Sequence, residues 1–177
     1  MSIGNEMRVV DEEDGEVASG ELGEIVMRGE NIFKGYFRNP EATERAFRGG
    51  WFHTGDIAYV DAEGFFFIAD RKSDMIIRGG ENIYPREIDE LLYRHAGVAE
   101  AAAVGVPDEL YGEEVAAYVV LKEGHTASVE ELLAFCREHL ADFKCPKSVR
   151  FLDALPKGPT GKVLKRELAR AFREKPV

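Results

Sequence analysis

The sequence predicts an α+β protein in two parts, a small β-rich segment over residues 1–72 and a compact α+β unit over residues 73–177. In the first part, short apolar segments alternate with turns rich in glycine and acidic residues, which is typical of small antiparallel sheets. In the second part, apolar strands alternate with amphipathic helices. Four polar residues, Arg71-Lys72-Ser73-Asp74, separate the two patterns and mark the predicted boundary.

Four strands and one short helix are predicted in the first part. The strands are the apolar runs at residues 7–11, 24–28, 56–60 and 65–69. The last two flank Asp61-Ala62-Glu63-Gly64 and are expected to form a hairpin, with Gly64 supplying the turn. A short helix is expected between the two pairs of strands, because Asn39 is a favoured capping residue and Pro40 fits the first helical position.

Three helices and three strands are predicted in the second part. The first helix begins at Pro85 and runs to His95, with Gly97 beyond its end. Ser128 and Glu131 form a capping box that begins the second helix. The third helix spans residues 163–174, and its predicted inward residues are Leu164, Leu168, Ala171 and Phe172. The strands are predicted at residues 101–106, 115–121 and 148–152.

Composition and charge narrow the class of protein. With 45% hydrophobic and 32% charged residues the chain has the composition of a soluble globular protein. It contains no apolar run of 18 residues, so no membrane span is expected, and no secretory signal is evident. The only two cysteines, Cys136 and Cys145, favour a reducing, cytoplasmic location. The net charge of -10 argues against nucleic acid as the main partner.

The charge is unevenly distributed along the chain. Residues 1–143 hold 13 Lys+Arg against 30 Asp+Glu, whereas residues 144–177 hold 10 Lys+Arg against 3 Asp+Glu. The basic tail suits an anionic ligand such as a nucleotide or CoA, although a solvated basic helix would have the same composition.

Several polar residues are candidates for ligand binding, each with a structural alternative. Asp56 follows Gly55 just before a predicted strand, where a carboxylate can bind a ribose diol or belong to an ordinary turn. Arg71 follows another strand and can bind a ribose or phosphate, or remain a surface charge. Gly79 and Gly80 lie in a predicted loop between strand and helix; they permit close approach of a ligand, but equally an ordinary turn.

Residues 155–162, LPKGPTGK, are the most unusual stretch. Two prolines and two glycines fix a loop that presents Lys162, a point charge for a phosphate or carboxylate if it is not simply solvated. The stretch is not a P-loop, because its glycines are too close and Val163 stands where Ser or Thr holds magnesium. No metal site is expected, since Cys136 lies in the apolar stripe of its helix and the four histidines are scattered.

Three long segments in order carry a resemblance to a known family. They are GELGEIVMRGENIFKGYFRNPEAT (residues 20–43), GWFHTGDIAYVDAEGFFFIADRKSDMIIRGGENIYPREID (residues 50–89) and LPKGPTGKVLKREL (residues 155–168). Together they resemble the adenylate-forming superfamily, and in particular the carboxy-terminal portion of AMP-forming acyl-CoA synthetases of the fatty-acid–CoA ligase type. The resemblance covers essentially the whole chain.

The resemblance implies a fold and a set of site residues. Residues 1–72 would be the last β-rich part of the large adenylation domain, and residues 73–177 its mobile carboxy-terminal lid domain. Asp56 would bind the ribose hydroxyls of ATP or the acyl-adenylate, and Arg71 the same ribose and a nearby phosphate.

Three further roles follow from the same resemblance. Lys162 would contact the substrate carboxylate and the α-phosphate during adenylation. Gly80 would lie near the path of the pantetheine thiol. Ser73 takes the position of the hinge between the two domains, where the family usually has Asp or Lys.

The implied reaction converts a carboxylic acid, ATP and CoA into acyl-CoA, AMP and pyrophosphate, with Mg2+. The family's phosphate loop and acyl pocket precede the matching segments, so we expect a shortened chain or a split gene that lacks its N-terminal adenylation domain and is inactive alone. Apolar surface left exposed could then drive self-association. Two alternatives remain: an adenylation-domain fragment that serves a carrier protein, and a non-catalytic binding module that reuses the fold. The ending Gly-Lys-Val-Leu-Lys, instead of Gly-Lys-Val-Asp-Arg, favours a free-standing ligase over a peptide-synthetase domain.

Overall fold

The structure is a computed structural model that describes residues 4–174. Its contacts divide the chain into two compact units, Met1–Ser73 and Asp74–Val177. Within the described residues each unit contains a five-stranded sheet, and three of the four helices belong to the second unit. The predicted α+β class, with a β-rich first part and a mixed second part, is confirmed. The division falls one residue later than the boundary predicted from the sequence.

An antiparallel sheet forms the first unit. Its strands are β1 (Asn5–Val10), β2 (Gly23–Gly29), β3 (Phe47–Arg48), β4 (Trp51–Val60) and β5 (Phe66–Arg71). The order is β1-β2-β4-β3, and β5 also pairs with β4. The long strand β4 is therefore the centre of the sheet, with β2 along one edge and β3 and β5 in succession along the other.

Local sequence signals in the first unit form the structures they predict. The β4–β5 hairpin turns at Asp61, whose Oδ1 accepts hydrogen bonds from the backbone N–H groups of Glu63 and Phe65. Helix α1 (Pro40–Ala46) begins with Pro40, and the side chain of Asn39 accepts a hydrogen bond from the N–H of Ala42 at 3.0 Å. Both predictions are confirmed because each depends on contacts within a few residues.

The second unit is a sheet with helices on both faces. Its strands are β6 (Ile76–Arg78), β7 (Glu81–Ile83), β8 (Val98–Asp108), β9 (Gly112–Leu121) and β10 (Ser148–Phe151). The order is β10-β9-β6-β7, and β8 also pairs with β9. The helices are α2 (Pro85–Tyr93), α3 (Val129–His139) and α4 (Lys165–Glu174).

The central strand β9 divides the core of the second unit into two layers. Val115, Ala117 and Val119 pack with α2 and α3, whereas Ala116 and Tyr118 pack with Leu168 of α4 and its neighbours. Successive side chains of a strand point to opposite faces, so a strand covered on both faces is apolar throughout. This explains the uninterrupted apolar run at residues 115–121.

Three predictions for the second unit were wrong in detail. The first helix ends at Tyr93 instead of His95, and the last begins at Lys165 instead of Val163, which pairs with Lys157 in an isolated bridge. Ala171, predicted to face inward, is exposed. Helical periodicity alone does not specify how much of a helix its neighbours cover, and only Leu168 of α4 is fully buried among the residues predicted to face inward.

Candidate functional site

Asp56 and Arg71, 15 positions apart in the sequence, are direct partners in the structure. They pair across the β4–β5 ladder at its last register position. The Nε atom of Arg71 lies 2.7 Å from Oδ1 of Asp56, and the two side chains are 52% and 25% exposed. The guanidinium therefore fixes one carboxylate oxygen, while much of both side chains remains accessible for a ligand.

The setting of Asp56 differs from the prediction. Asp56 was expected at the start of a strand, but it lies inside β4, which begins at Trp51. Between the pairings of His53 with Val26 and of Ile57 with Glu24, β4 has two residues more than β2. The strand accommodates them in a bulge, where Gly55 has a φ of +72°. Glycine suggested a strand end, but here it allows the strand to bend and continue.

Glu24 of β2 is a buried carboxylate behind this bulge, and the sequence analysis did not identify it. Its side chain is only 8% exposed. Oε1 accepts the backbone N–H of Gly55 at 3.0 Å, and Oε2 lies 3.0 Å from Nζ of Lys72 and 3.4 Å from Nδ1 of His53. Burial would raise the pKa of Glu24, but the bonds from Lys72, Gly55 and His53 outweigh it and hold the pKa below its usual value.

Lys162 lies in a closed loop of the second unit. Lys157 and Val163 form an antiparallel bridge, the N–H of Gly158 donates to the carbonyl of Lys162 at 2.9 Å, and the N–H of Gly161 donates to the carbonyl of Gly158 at 2.9 Å. Leu155, which is buried, anchors the start of the loop. The backbone of Lys162 is thus fixed on both sides, as expected of this Pro- and Gly-rich stretch.

The three lysines of this segment have different surroundings. Lys157 pairs with Glu100 at 2.6 Å, and Lys165 pairs with Asp89 at 2.6 Å. Lys162 is exposed and, within residues 4–174, makes no ion pair. The flanking lysines tie the loop to the rest of the second unit, and Lys162 is the one of the three that makes no ion pair among residues 4–174.

The Gly79-Gly80 pair was expected in a loop between strand and helix, and this prediction was wrong. The two glycines form the turn of the β6–β7 hairpin, in which Arg78 pairs with Glu81. Their φ values of +59° and +90° are those of a two-residue turn that requires positive φ at both central positions. A side chain on Gly79 would approach the ring of Tyr111, whereas one on Gly80 would meet nothing within 4 Å. Gly80 is therefore an exposed, open stretch of backbone.

The predicted site residues are divided between the two units. Asp56 and Arg71 lie in the first unit, and Ser73 is its last residue, inside a 3₁₀ turn at Lys72–Asp74. Gly80 and Lys162 lie in the second unit.

Two further features concern other kinds of site. Cys136 is fully buried in the core, as its place in the apolar stripe predicted, and burial raises the pKa of its thiol to about 11. Among the residues that the structure describes, no three or more His, Cys, Asp or Glu side chains form a group suited to a metal ion. In the same part of the chain, none of the helices has the length and apolar character needed to cross a membrane.

Comparison with known proteins identifies relatives over nearly the whole chain. The model of the family described as the AMP-binding enzyme C-terminal domain matches residues 87–162. A long-chain-fatty-acid–CoA ligase of Bacillus subtilis is 52% identical over 161 residues, which is 90% of this chain and 29% of that protein. A 2-succinylbenzoate–CoA ligase of a Geobacillus species is 49% identical over 158 residues, 89% of this chain and 32% of that protein.

The same similarity appears among solved structures. ATP-bound MatB from Rhodopseudomonas palustris superposes with a TM-score of 0.92 and 40% identity, over 97% of this chain and 34% of that chain. The chain thus spans about a third of the length of the relatives it matches. Residues 87–162 match the AMP-binding enzyme C-terminal domain family, and nearly the whole chain is similar to the carboxy-terminal portion of adenylate-forming acyl-CoA ligases.

Proposed function

We propose that this chain is the carboxy-terminal part of an AMP-forming acid–CoA ligase. Residues 1–72 complete its adenylation domain, and residues 73–177 form its mobile domain. The observation that carries this proposal is the pairing of Asp56 with Arg71 at 2.7 Å in the first unit. Within the second unit, a fixed loop presents Lys162, which makes no ion pair among residues 4–174. The enzyme converts acid, ATP and CoA into acyl-CoA, AMP and pyrophosphate.

Asp56 and Arg71 suit the binding of the nucleotide. An ionised carboxylate only accepts hydrogen bonds, so Asp56 can accept from both hydroxyls of a ribose. Arg71 holds one carboxylate oxygen in place and directs its remaining donors toward the same ribose or a phosphate. The pair is thereby prepared for the sugar before ATP arrives.

Lys162 suits the chemistry of the first half-reaction. Attack of a carboxylate on the α-phosphate concentrates negative charge, and an ammonium group positioned there stabilises it. The fixed backbone of the loop means that only the side chain of Lys162 has to be ordered on binding. Mg2+, when bound, would neutralise charge on the triphosphate.

Gly80 and Ser73 serve the second half-reaction in this proposal. The backbone at Gly80 is open, so a thin pantetheine arm can pass close to it. Ser73 at the end of the first unit is the point about which the second unit turns, so that one active site serves both half-reactions in succession.

The decisive experiment separates the two half-reactions in the full-length enzyme that contains this chain. Lys162→Ala is expected to suppress ATP–pyrophosphate exchange by about 100-fold or more, the scale of losing one electrostatic contact to the transition state. Formation of thioester from supplied acyl-adenylate should change far less. Lys157→Ala is the matched control, because Lys157 lies in the same loop but pairs with Glu100. Equal losses in both half-reactions would contradict the role of Lys162.

The 177-residue chain on its own is expected to be silent in ATP–pyrophosphate exchange with any acid, since it lacks the motifs that bind the triphosphate in this family. Exchange that depends on one acid and disappears in Lys162→Ala would overturn this part of the proposal and identify the substrate. Binding of nucleotide or CoA without turnover in the full-length protein would instead favour a non-catalytic module.

We place the acid in the fatty-acid class, on the strength of the 52% identity to the Bacillus subtilis long-chain ligase. The 49% identity to a 2-succinylbenzoate ligase makes that aromatic acid the second candidate. The ratio of kcat/KM for a long-chain fatty acid and for 2-succinylbenzoate decides between them. Thioester formed on a phosphopantetheinyl protein instead of CoA would point to a carrier-dependent enzyme.

The partner of the first unit is, in this proposal, the rest of the adenylation domain. Phe37 and Phe65 are 88% and 67% exposed in the first unit, and the preceding part of the enzyme would cover them. Without it, the chain is expected to self-associate, so its elution volume on a sizing column should depend on concentration. The two free thiols, Cys136 and Cys145, fit the reducing cytoplasm.

A further inference from the structure

One buried carboxylate binds the two residues that flank the Asp56–Arg71 pair. Gly55 immediately precedes Asp56, and its N–H donates to Oε1 of Glu24 at 3.0 Å. Lys72 immediately follows Arg71, and its Nζ donates to Oε2 of the same carboxylate at 3.0 Å. Each carboxylate oxygen of Glu24 therefore binds the chain next to one member of the Asp56–Arg71 pair.

The backbone pairing explains why a side chain is needed to hold the chain beside Asp56 and Arg71. Asp56 and Arg71 occupy the last register position of the β4–β5 ladder, so no further pairing between these strands holds them from that side. On the other side, the bulge in β4 breaks the regular pairing with β2 at Gly55. The Gly55 N–H points to Glu24 instead of a ladder carbonyl, and the carboxylate replaces the missing backbone bond.

The buried surroundings of Glu24 favour a charged carboxylate at this position. Glu24 and His53 are 8% and 6% exposed, and the imidazole lies 3.4 Å from Oε2. Asp14 approaches the other side of the His53 ring at 3.7 Å, and Arg48 pairs with Asp14 at 2.9 Å. The carboxylate is thus surrounded by donors and shielded from water, which strengthens its bond to Lys72.

From this geometry we infer that Glu24 is a positioning residue for the nucleotide-ribose pair: it fixes the spacing of Asp56 and Arg71 and anchors the chain at Lys72, one residue before Ser73. This inference rests on the proposed function. Glu24 does not touch the ligand and acts only through Gly55 and Lys72. Because Lys72 is anchored, the backbone rotation that moves the second unit takes place after Lys72. The ribose site therefore keeps its geometry through both half-reactions.

The test uses the full-length enzyme and the ratio of kcat/KM for ATP to that for 2′-deoxy-ATP. The change Glu24→Gln keeps an acceptor for Gly55 but removes the charge that holds Lys72. We expect it to raise the KM for ATP and to reduce the ratio by about tenfold, the order expected when one aligned bond of a charged group is lost. With supplied acyl-adenylate, which carries the same ribose, we expect the KM to rise as well, whereas kcat at saturation should change far less.

A double mutant that also changes Asp56 tests whether Glu24 acts through the Asp56–Arg71 pair. In an Asp56→Asn background, Glu24→Gln should reduce the ratio no further, because the group that it positions is already altered. Lys72 is 40% exposed, so we expect Lys72→Met to fold, and it should shift the ratio in the same direction. Glu63→Gln, at an exposed acid in the β4–β5 turn, is the matched control.

Two results would overturn the inference. In the first, Glu24→Gln gives the same ATP to 2′-deoxy-ATP ratio and the same KM for ATP as the control Glu63→Gln, while Asp56→Asn weakens ATP binding. The proposed function would then stand, and the inference about Glu24 would be wrong. Alternatively, Glu24→Gln and Lys72→Met could lower activity equally with both nucleotides, which would indicate a purely structural role. Absence of exchange in the unmodified full-length enzyme would reject the proposed function, and the inference with it.

Discussion

The ion pair of Asp89 and Lys165 offers a direct test of what holds the Lys162 loop to the second unit. Lys165 begins α4, three residues after Lys162, and its Nζ lies 2.6 Å from Oδ2 of Asp89 in α2. The side chains are 16% and 22% exposed, and Oδ1 of Asp89 accepts the N–H of Ala103 in β8. The change Lys165→Met keeps the length of the side chain and removes only the charge.

The expected loss follows from this degree of burial. Exposed ion pairs contribute about 0–1 kcal/mol, whereas breaking a fully buried one costs about 3–5 kcal/mol. A pair that is mostly but not wholly shielded lies between these limits, so we expect Lys165→Met to reduce the free energy of unfolding by about 2 kcal/mol. For a urea dependence of roughly 1–2 kcal/mol per molar, the unfolding midpoint should fall by about 1–2 M.

Urea unfolding of the 177-residue chain, followed by circular dichroism of the helices, measures this loss. A double-mutant cycle with Asp89→Asn, which retains an acceptor for Ala103, should give a coupling energy of about 1–2 kcal/mol. The control is Arg166→Met, at an exposed residue next in the same helix. A midpoint for Lys165→Met equal to that of Arg166→Met, or a coupling energy near zero, would refute the reasoning.

Three further predictions concern the second unit. Leu168→Ala should lower the free energy of unfolding by about 3–4 kcal/mol in urea, since Leu168 is 2% exposed and a cavity remains. Gly79→Ala should cost more than Gly80→Ala in the same assay, because both incur about 1–2 kcal/mol of backbone strain but only Gly79 also meets Tyr111, at 3.1 Å. Burial raises the pKa of Cys136 from 9.0 to about 11, so the folded chain keeps a proton that the unfolded chain releases. Stability is therefore full below pH 9 and falls as the pH rises through 11, by about 3 kcal/mol, a loss that Cys136→Ala should abolish.

Elements with complete local signals were predictable from the sequence. The capping box of Ser128 and Glu131 forms with both of its hydrogen bonds, and the Asn39 cap and the turn at Asp61 form as expected. Each of these structures is determined by residues within five positions of one another. The very short strands β3 and β7 gave no such signal: β3 exists because the longer strand β4 pairs with it, and β7 because the Gly79-Gly80 turn folds it back onto β6.

The candidate residues could be named one by one from the sequence, but the arrangement that the structure gives them could not be predicted. Asp56 and Arg71 were identified singly, and their ion pair depends on the register of β4 and β5, which the sequence does not specify. Glu24 was missed because a single acid among apolar strand residues is normally the one that faces solvent. Glu24, Ile25 and Val26 are instead buried in succession, since the bulge shifts the register at this point and interrupts the alternation of a strand.

Each unit contains one region proposed to bind a ligand, at Asp56 in the first and at Lys162 in the second, and the two regions are built alike. In each, neighbours in the chain of the residue proposed to meet the ligand make strong contacts within their own unit, while Lys162 itself is exposed and Asp56 is partly exposed beside Arg71. Glu24 binds the residues beside Asp56, and Asp89 binds the lysine three residues beyond Lys162. Fixing the neighbours reduces the freedom that binding must remove, and it leaves the contacting group unobstructed. Changes at Glu24 and Asp89 should therefore weaken substrate binding by altering geometry, whereas changes at Asp56 and Lys162 remove the contacting groups themselves.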